Sequence, residues 1–177
     1  MKPILETERC FLRKLEESDL EGFYELDSDP EVHRYLGNEP VSDRNKLLGI
    51  IHYVQQQYID NGVGRWAIID KQNGDFIGWC GLKLVEYMVN GQTNYYDLGY
   101  RLIRKHWGRG IATETAKASI NYGFEVMGLE EIVGAIHRDN DASRNVVHKL
   151  GFSLKETFEF ENEPHCWYVL KKEDWIK

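Results

Sequence analysis

The sequence predicts a single α/β domain of the α+β type, in which a mixed and mostly antiparallel sheet of about seven strands is flanked by helices. Runs in which every second residue is apolar alternate along the chain with runs of helical spacing. The length of 177 residues, with 42% hydrophobic and 29% charged residues, is enough for one core. No linker, repeat or low-complexity segment divides the chain. We therefore expect one domain over residues 1–177.

Seven runs have the alternation that is typical of strands with one buried face. They lie at residues 9–15, 65–70, 76–87, 96–103, 131–137, 152–160 and 166–170. An Asn73-Gly74 turn joins the second run to the third as a hairpin, and Gly78 and Gly81 indicate a bulge in the third.

Three helical segments are predicted between the first strand and the second. The capping-box sequence Ser18-Asp19-Leu20-Glu21 starts a helix that runs to about residue 27. Residues 31–36 form a short second segment, and Ser42 caps a third helix that ends near residue 61. Near the end of the chain, Asp139 or Asn140 caps another helix, which is predicted to run through residue 150.

The central stretch of the chain is a predicted strand at residues 96–103, a glycine-rich turn, and a helix that begins at Ile111. In the helix, small or apolar residues recur every three to four positions, which indicates close packing on a sheet. Gly108 and Gly110 have no Cβ atoms to keep their amides from a ligand, and a helix start leaves about four N–H groups unpaired. The turn therefore predicts an anion site that fits phosphate or pyrophosphate, the alternative being a tight turn that binds nothing.

Two other phosphate loops fit this stretch less well. A P-loop requires a lysine that does not follow the glycines here, and a dinucleotide loop requires a third glycine where Thr113 stands. The dinucleotide loop is the weaker alternative, although Glu130 and Glu131 fall where its ribose-binding acid would lie.

Composition argues against several functions. The formal net charge of −7 opposes nucleic-acid binding as the main task, since phosphate affinity requires clustered cations. No apolar run approaches the roughly 18 residues of a membrane span, and charged residues follow the first four, so we expect no membrane segment, no signal peptide and a cytoplasmic location. Cys10, Cys80 and Cys166 are odd in number and far apart, and the six histidines lack metal-ligand spacing, so neither a disulfide framework nor a metal site is predicted.

The motifs resemble a known family when they are taken in order. Trp107-Gly108-Arg109-Gly110-Ile111-Ala112 between strand and helix, followed by Asn140-Asp141-Ala142-Ser143 and Leu150-Gly151-Phe152, resembles the acetyl-CoA-binding core of the GNAT acyltransferase superfamily. The Asn-x-x-Ser spacing, the tryptophan before the loop and residues 5–13 resemble its ribosomal-protein N-terminal (alanine/serine) acetyltransferase subgroup. The sequence departs from the family at two positions: Trp107 holds the place of a usual Gln or Arg, and Val147 that of a usual tyrosine.

The resemblance implies an acetyl-CoA-dependent N-acetyltransferase with a GNAT-like fold whose central strands are splayed, and with no metal. It implies direct transfer of the acetyl group to a primary amine, with a protein N-terminus favoured as acceptor. A polyamine, amino acid or aminoglycoside is the alternative acceptor, and a noncatalytic acyl-CoA sensor is the alternative function. No nucleic-acid or membrane partner is expected, and the chain is expected to be a monomer or homodimer.

The coenzyme site that the resemblance implies consists of the end of the central strand, the loop, the helix start and the Asn-x-x-Ser motif. Its residues are Leu102, Ile103, Arg104, Trp107, Gly108, Arg109, Gly110, Ile111, Ala112, Thr113, Asn140 and Ser143. A backbone N–H near Leu102 or Ile103 would stabilise the oxyanion. Asn140 could instead be only a helix cap and Ser143 only a first-turn residue. Arg101, Arg104, Lys105 and Arg109 could hold the ribose phosphate of coenzyme A or form a solvated basic turn.

Three residues are candidates for proton transfer. Ser143 is the hydroxyl that the resemblance places near the sulfur, and Asp97 and Glu86, at strand ends, are carboxylates that could accept the amine proton directly or through water. Cys80 could carry the acetyl group covalently in principle, but no neighbour in sequence would activate it. Acidic residues on the last hairpin could attract an amine or serve only as solubilising surface. They are Glu156, Glu159, Glu161 and Glu163.

Overall fold

The computed structural model describes residues 2–175, which form one eight-stranded sheet and five α-helices. The strands are β1 (Leu5–Glu6), β2 (Cys10–Arg13), β3 (Arg65–Asp70), β4 (Phe76–Val85), β5 (Tyr95–Leu102), β6 (Glu131–His137), β7 (Ser153–Phe160) and β8 (Glu163–Lys171). The helices are α1 (Leu20–Asp27), α2 (Pro30–His33), α3 (Arg44–Asp60), α4 (Ile111–Asn121) and α5 (Asp141–Lys149).

The strands follow the order β1-β2-β3-β4-β5-β6-β8-β7. All neighbours are antiparallel except β5 and β6, which are parallel. This topology confirms the predicted mixed, mostly antiparallel sheet. The strand that the prediction of about seven did not include is β1, because its two residues are too few to show alternation.

Helices cover both faces of the sheet around β4. Trp79 packs against the cluster of Leu26 from α1, whereas the next residue, Cys80, has its Sγ atom 3.6 Å from Ser119 Oγ of α4. Because neighbouring side chains of a strand point to opposite faces, α1 and α4 lie on opposite sides. Thr115 and Ala116, like Ser119, are fully buried, which confirms the small-residue face of the helix after the loop.

The bulge predicted in the run 76–87, which corresponds to β4, is present at Gly78. Ile68 pairs with Gly78 while Ile69 pairs with Phe76, so one residue of β4 is skipped. A Cβ atom at Gly78 would lie 2.2 Å from the carbonyl oxygen of Arg101, so only glycine allows β5 to approach β4 this closely.

Two helix caps differ from the prediction. The capping box before α1 is formed by Glu16 and Asp19, not by Ser18, and a 3₁₀ turn over Glu17–Asp19 precedes the helix. The side chain that caps α3 is Asp43, which accepts from Asn45 N at 2.9 Å, and not Ser42. In both cases an aspartate and a serine are adjacent, and the backbone decides which of the two reaches the unpaired N–H groups.

The three cysteines are buried free thiols. Across residues 2–175, no helix combines the length and the apolar character that crossing a bilayer requires.

Asp19, in the 3₁₀ turn before α1, is joined to β2 by a buried ion pair with Arg13. Its carboxylate accepts from Arg13 Nη1 and Nη2 at 2.8 and 2.6 Å, and from Glu16 N at 2.8 Å. We expect Asp19→Ala to lower the free energy of unfolding by about 3 kcal/mol, because it leaves the Arg13 guanidinium buried without its carboxylate. Urea denaturation measures the change. The control is Glu21→Ala, which breaks the exposed pair with Arg44; an equal loss in both variants would contradict the prediction.

Candidate active site

The two parallel strands at the centre of the sheet separate almost as soon as they meet. In the part of the chain that the structure describes, β5 and β6 share one register pair, Asp97 opposite Val133. Towards their C-terminal ends, the facing backbone groups of the two strands are therefore not paired with each other. Such an opening can take an extended polar ligand, which would pair with the strand edges as another strand would.

Arg65 and Asp97 determine where this opening begins. The Arg65 guanidinium reaches from β3 across β4, donates to the carbonyl oxygens of Gly81 and Asp97, and forms an ion pair with the Asp97 carboxylate. The second carboxylate oxygen of Asp97 accepts from Ala135 N of β6 at 3.4 Å. A Cβ atom at Gly99 would lie 2.6 Å from Arg65 Nη2, so a glycine is needed where the guanidinium passes. We call Arg65 and Asp97, with their bonds to β4, β5 and β6, the strand latch.

The turn after β5 presents a row of unpaired backbone amides. Gly108 and Gly110 have φ angles of +71° and +78°, and α4 begins at the next residue. The first bond of the helix joins Glu114 N to Gly110 O at 3.0 Å. Within residues 2–175, no acceptor contacts the N–H groups from Gly108 to Thr113. Six adjacent donors at the positive end of a helix form an anion site.

Arg9 holds the loop in this shape from the far end of the chain. Its Nη1 donates to the Arg109 carbonyl oxygen at 2.7 Å, and its Nε and backbone N donate to the Glu114 carboxylate at 2.7 and 2.9 Å. The Arg109 carbonyl thus has a hydrogen-bond partner, whereas the amides of the loop have none in the part of the chain that the structure describes.

Three of the four cations predicted around the loop have carboxylate partners elsewhere. Arg101 pairs with the buried Asp27 at 2.8 Å, Arg104 with Asp29 at 2.9 Å and Lys105 with Glu25 at 2.8 Å. In the described residues, Arg109 alone of the four has no carboxylate partner, and its Nη1 lies 3.0 Å from His106 Nδ1. Burial, with the nearby Arg109 cation, lowers the pKa of His106, so its ring can accept from Arg109 in the neutral form.

Trp107 attaches the turn to the strand before it. The indole Nε1 donates to the Leu102 carbonyl oxygen at 2.8 Å, while the residue as a whole is 46% exposed. The neighbouring Ile103 donates its N–H to Ile77 O of β4 at 3.1 Å. Because successive N–H groups of a strand point to opposite edges, the amide of Leu102 is directed toward the opening and that of Ile103 is not.

Asn140 and Ser143 lie where α5 begins, on the far side of the opening. Asn140 Oδ1 accepts from Ser143 N at 3.1 Å, so the asparagine does cap the helix. Tyr100 reaches across from β5 and donates its hydroxyl to Ser143 O at 2.8 Å, and burial raises the pKa of this tyrosine. No protein group within residues 2–175 bonds the Ser143 hydroxyl, which can therefore contact a ligand.

The carboxylates predicted as proton acceptors are in different situations. Both oxygens of Asp97 are engaged in the strand latch. Glu86 is exposed just beyond the end of β4 and has no hydrogen bond or ion pair in the described part of the chain. Cys80 is completely buried, and burial raises the pKa of its thiol. These positions leave Glu86 with access to solvent and Cys80 without it.

The sequence did not predict a cluster of rings on the face of β6 and β8 that α4 and α5 do not cover. His137 and His165 are register partners with ring centroids 5.4 Å apart, and Phe158 and Phe160 lie 5.8 and 5.6 Å from His165. Tyr35, from the segment after α2, lies 5.2 Å from His137. We call these five side chains the ring cluster. Twenty-eight residues separate the two histidines, so only the strand register could have indicated the pairing.

The acidic hairpin adjoins the ring cluster. Glu156 accepts from Asn90 Nδ2 at 3.0 Å and Glu163 lies 3.2 Å from His137 Nε2, and none of the four predicted glutamates pairs with a lysine or arginine of the described residues. No group of three or more possible metal ligands occurs among those residues. This side of the opening is therefore acidic and aromatic, and the loop side presents amide donors.

Comparison with known proteins identifies the family to which the chain belongs. The family model described as an acetyltransferase (GNAT) domain matches residues 9–153. An uncharacterized N-acetyltransferase, p20 of Bacillus licheniformis, is 32% identical over 148 residues, which cover 84% of this chain and 81% of the relative.

Solved structures share the fold. A GNAT-family acetyltransferase from Bacillus anthracis superposes with a TM-score of 0.80 at 23% identity, over 96% of this chain and 98% of that one. Spermidine N-acetyltransferase from Vibrio cholerae, solved in complex with CoA and spermine, superposes with a TM-score of 0.76 at 19% identity, over 93% of this chain and 96% of that one. With a splayed central sheet, an amide-lined loop and a family match over most of its length, the chain belongs to the GNAT family and is an acetyl-CoA-dependent N-acetyltransferase.

Proposed function

We propose that this enzyme transfers the acetyl group directly from acetyl-CoA to the α-amine of a peptide or protein N-terminus. The observation that carries the proposal is the position of the opening between β5 and β6, whose end adjoins six amides that have no acceptor among residues 2–175. A pyrophosphate on those amides lets the rest of the coenzyme extend along the unpaired strand edges toward the strand latch.

In this proposal, the coenzyme residues act mainly through their backbone. Gly108 to Thr113 supply the amides for the pyrophosphate, and Arg109, which pairs with no carboxylate of the described residues, supplies a cation. Leu102 supplies the oxyanion donor, because the Ile103 amide already donates to β4. Arg104 and Trp107 shape the turn through Asp29 and the Leu102 carbonyl.

Ser143 and Asp97 have separate tasks in the transfer. The Ser143 hydroxyl, which bonds to no group of the described residues, is the proton donor for the leaving thiolate, in a helix start positioned by Asn140 and Tyr100. Asp97 keeps the two strands together where the opening begins, before Leu102 along β5, and Glu86 can exchange protons with the site through water. Direct transfer agrees with the burial of Cys80, since a covalent acyl carrier must reach the thioester.

The choice of acceptor rests on how easily each kind of amine loses its proton. An α-amine has a pKa of about 7.7 to 8 and a lysine-type amine one of about 10.4, so the α-amine needs far less help to lose its proton near pH 7.5. No buried, unpaired carboxylate faces the opening in the described residues, which favours the weaker base as substrate.

A small cationic amine such as a polyamine is the second candidate. The four glutamates of the β7–β8 hairpin would attract several positive charges, and the similar Vibrio cholerae structure is of a spermidine acetyltransferase with spermine. The three buried free thiols fit a reducing compartment, and we propose a cytoplasmic location. A monomeric or homodimeric state stays a prediction.

A substrate panel distinguishes the two acceptors. Thiol release from acetyl-CoA at pH 7.5 is measured with a peptide that has a free α-amine, with the same peptide blocked at its N-terminus but containing lysine, and with spermidine. We expect kcat/KM to be at least about tenfold higher for the free α-amine, because more of it is unprotonated. A faster reaction with spermidine would instead support the second candidate.

The loop is tested by a change of backbone conformation. Gly110→Val places a β-branched residue at a φ of +78°, which it adopts only with strain, so the amides turn away from the anion. We expect the affinity for acetyl-CoA, measured by calorimetry, to fall at least about tenfold. Gly62→Val, at a φ of +71° after α3, is the matched control and should keep the affinity. Unchanged binding in the Gly110 variant would contradict the assignment of the loop.

The role of Ser143 is tested by separating turnover from binding. Ser143→Ala removes the hydroxyl but keeps the backbone bonds to Asn140 and Tyr100, so we expect kcat to fall by roughly tenfold to a hundredfold while acetyl-CoA affinity is kept. Steady-state kinetics and calorimetry measure the two quantities. Ser153→Ala, at the exposed start of β7, serves as control. Equal turnover in both variants would leave Ser143 with a structural role only.

A further inference from the structure

The ring cluster lies on the face of the sheet opposite the main core that packs against α4 and α5, the same face as Trp167. Ala135, whose N–H bonds to Asp97 in the strand latch, pairs with Trp167 of β8, and His165 lies two residues from Trp167 on the same face. The alternate residues Ile136 and Cys166 face the opposite way, into the main core. His165 is therefore about 7 Å along the sheet from the level of the strand latch.

Backbone partners determine which nitrogen of each histidine carries the proton. His165 Nδ1 lies 3.0 Å from the Glu163 carbonyl oxygen. A carbonyl oxygen only accepts, so Nδ1 is the donor and, in the neutral ring, the lone pair is on Nε2. No group in residues 2–175 bonds Nε2 of His165.

His137 has the opposite tautomer, and its lone pair is already used. Asp139 donates its backbone N–H to His137 Nδ1 at 3.1 Å, so the ring proton is on Nε2, which lies 3.2 Å from Glu163 Oε2. Of these two neighbouring imidazoles, only that of His165 presents an unused acceptor.

The groups around His165 suit the transfer of a proton from an ammonium ion. Glu163 on β8 and Glu156 on β7 lie on the same face and can hold a cation. The facing titratable groups from the other elements are His137 on β6 and Tyr35 after α2, and the remaining contacts are the rings of Phe158 and Phe160. Aromatic faces and carboxylates together attract a positively charged amine.

We infer that Nε2 of His165 is the proton acceptor of the reaction, directly or through one water molecule. The inference rests on the proposed function and adds to it the base that the two predicted carboxylates do not supply. The ammonium form of the substrate gives one proton to the Nε2 lone pair, which passes it to solvent. The neutral amine then attacks the carbonyl carbon, and the C–S bond breaks. The nitrogen loses its second proton as the amide forms, and the coenzyme sulfur gains one proton, so no net proton is released in this step. Glu163 and Glu156 stabilise the transient imidazolium.

Two variants test the inference without removing the fold. In His165→Asn, the side-chain amide can still donate to the Glu163 carbonyl, and His165→Gln is the second variant. We expect kcat/KM for a free α-amine peptide at pH 7 to fall about tenfold in both, with recovery toward pH 9, because an amine with a pKa of about 7.7 to 8 has by then lost its proton to solvent. Acetyl-CoA affinity, measured by calorimetry, should not change.

The matched control is His148→Gln. His148 Nε2 lies 3.1 Å from the Tyr168 hydroxyl on the helix-covered side of the sheet, so its removal should leave turnover and its pH profile unchanged. A wild-type pH profile in both His165 variants would overturn the inference. It would also be overturned if Glu86→Gln lost kcat/KM at pH 7 and recovered it toward pH 9 while the His165 variants were unaffected. Wild-type enzyme that fails to bind acetyl-CoA would instead contradict the proposed function.

Discussion

The ion pair between Arg65 and Asp97 is the interaction on which the geometry of the centre depends. It extends from β3 across β4 to β5, and the Asp97 carboxylate continues it to β6. Breaking a buried or half-buried ion pair by removing one partner is costly, because the other charge keeps its desolvation and loses its compensation. The two strands therefore meet at one point and separate beyond it, and the opening that takes the coenzyme in the proposal begins there.

The same constraint separates the tasks of the residues around the opening. A carboxylate that receives a guanidinium and a backbone amide is suited to holding strands and poorly placed to take up a substrate proton. This leaves proton uptake to groups that have an unused lone pair, such as His165 Nε2. On the other side, Tyr100 connects β5 to the start of α5, so the Ser143 hydroxyl is presented by a helix turn attached to both strands. Structural and chemical functions are thus carried by different side chains that contact the same opening.

Much of this could be predicted from local patterns. The strand–loop–helix around Gly108 and Gly110 was predicted because glycine spacing and a change of period are properties of adjacent residues. The family and the splayed central strands were predicted from the order of the motifs along the chain. The caps at Ser18 and Ser42 were wrong by a residue or two, because neighbouring residues could each cap the helix.

The parts that the sequence did not predict join distant segments. Arg65 and Asp97 are 32 residues apart, and His137 meets His165 only through the register of β6 and β8. Likewise, Arg101, Arg104 and Lys105 could not be recognised as partners of α1 and its C-terminal neighbour Asp29 before the helix was positioned against the sheet. Local rules specify elements, whereas ion pairs between elements follow from tertiary packing.

The contact between Arg9 and the loop carbonyl also bears on how the coenzyme associates. Arg9 orders a segment one hundred residues away while the chain folds, so the conformational entropy of the glycine loop is lost then and not when the ligand arrives. A preorganised loop leaves more of the interaction free energy for affinity. The N-terminal edge of the sheet, which is far from any reacting atom, thereby contributes to how tightly a phosphate ester is held.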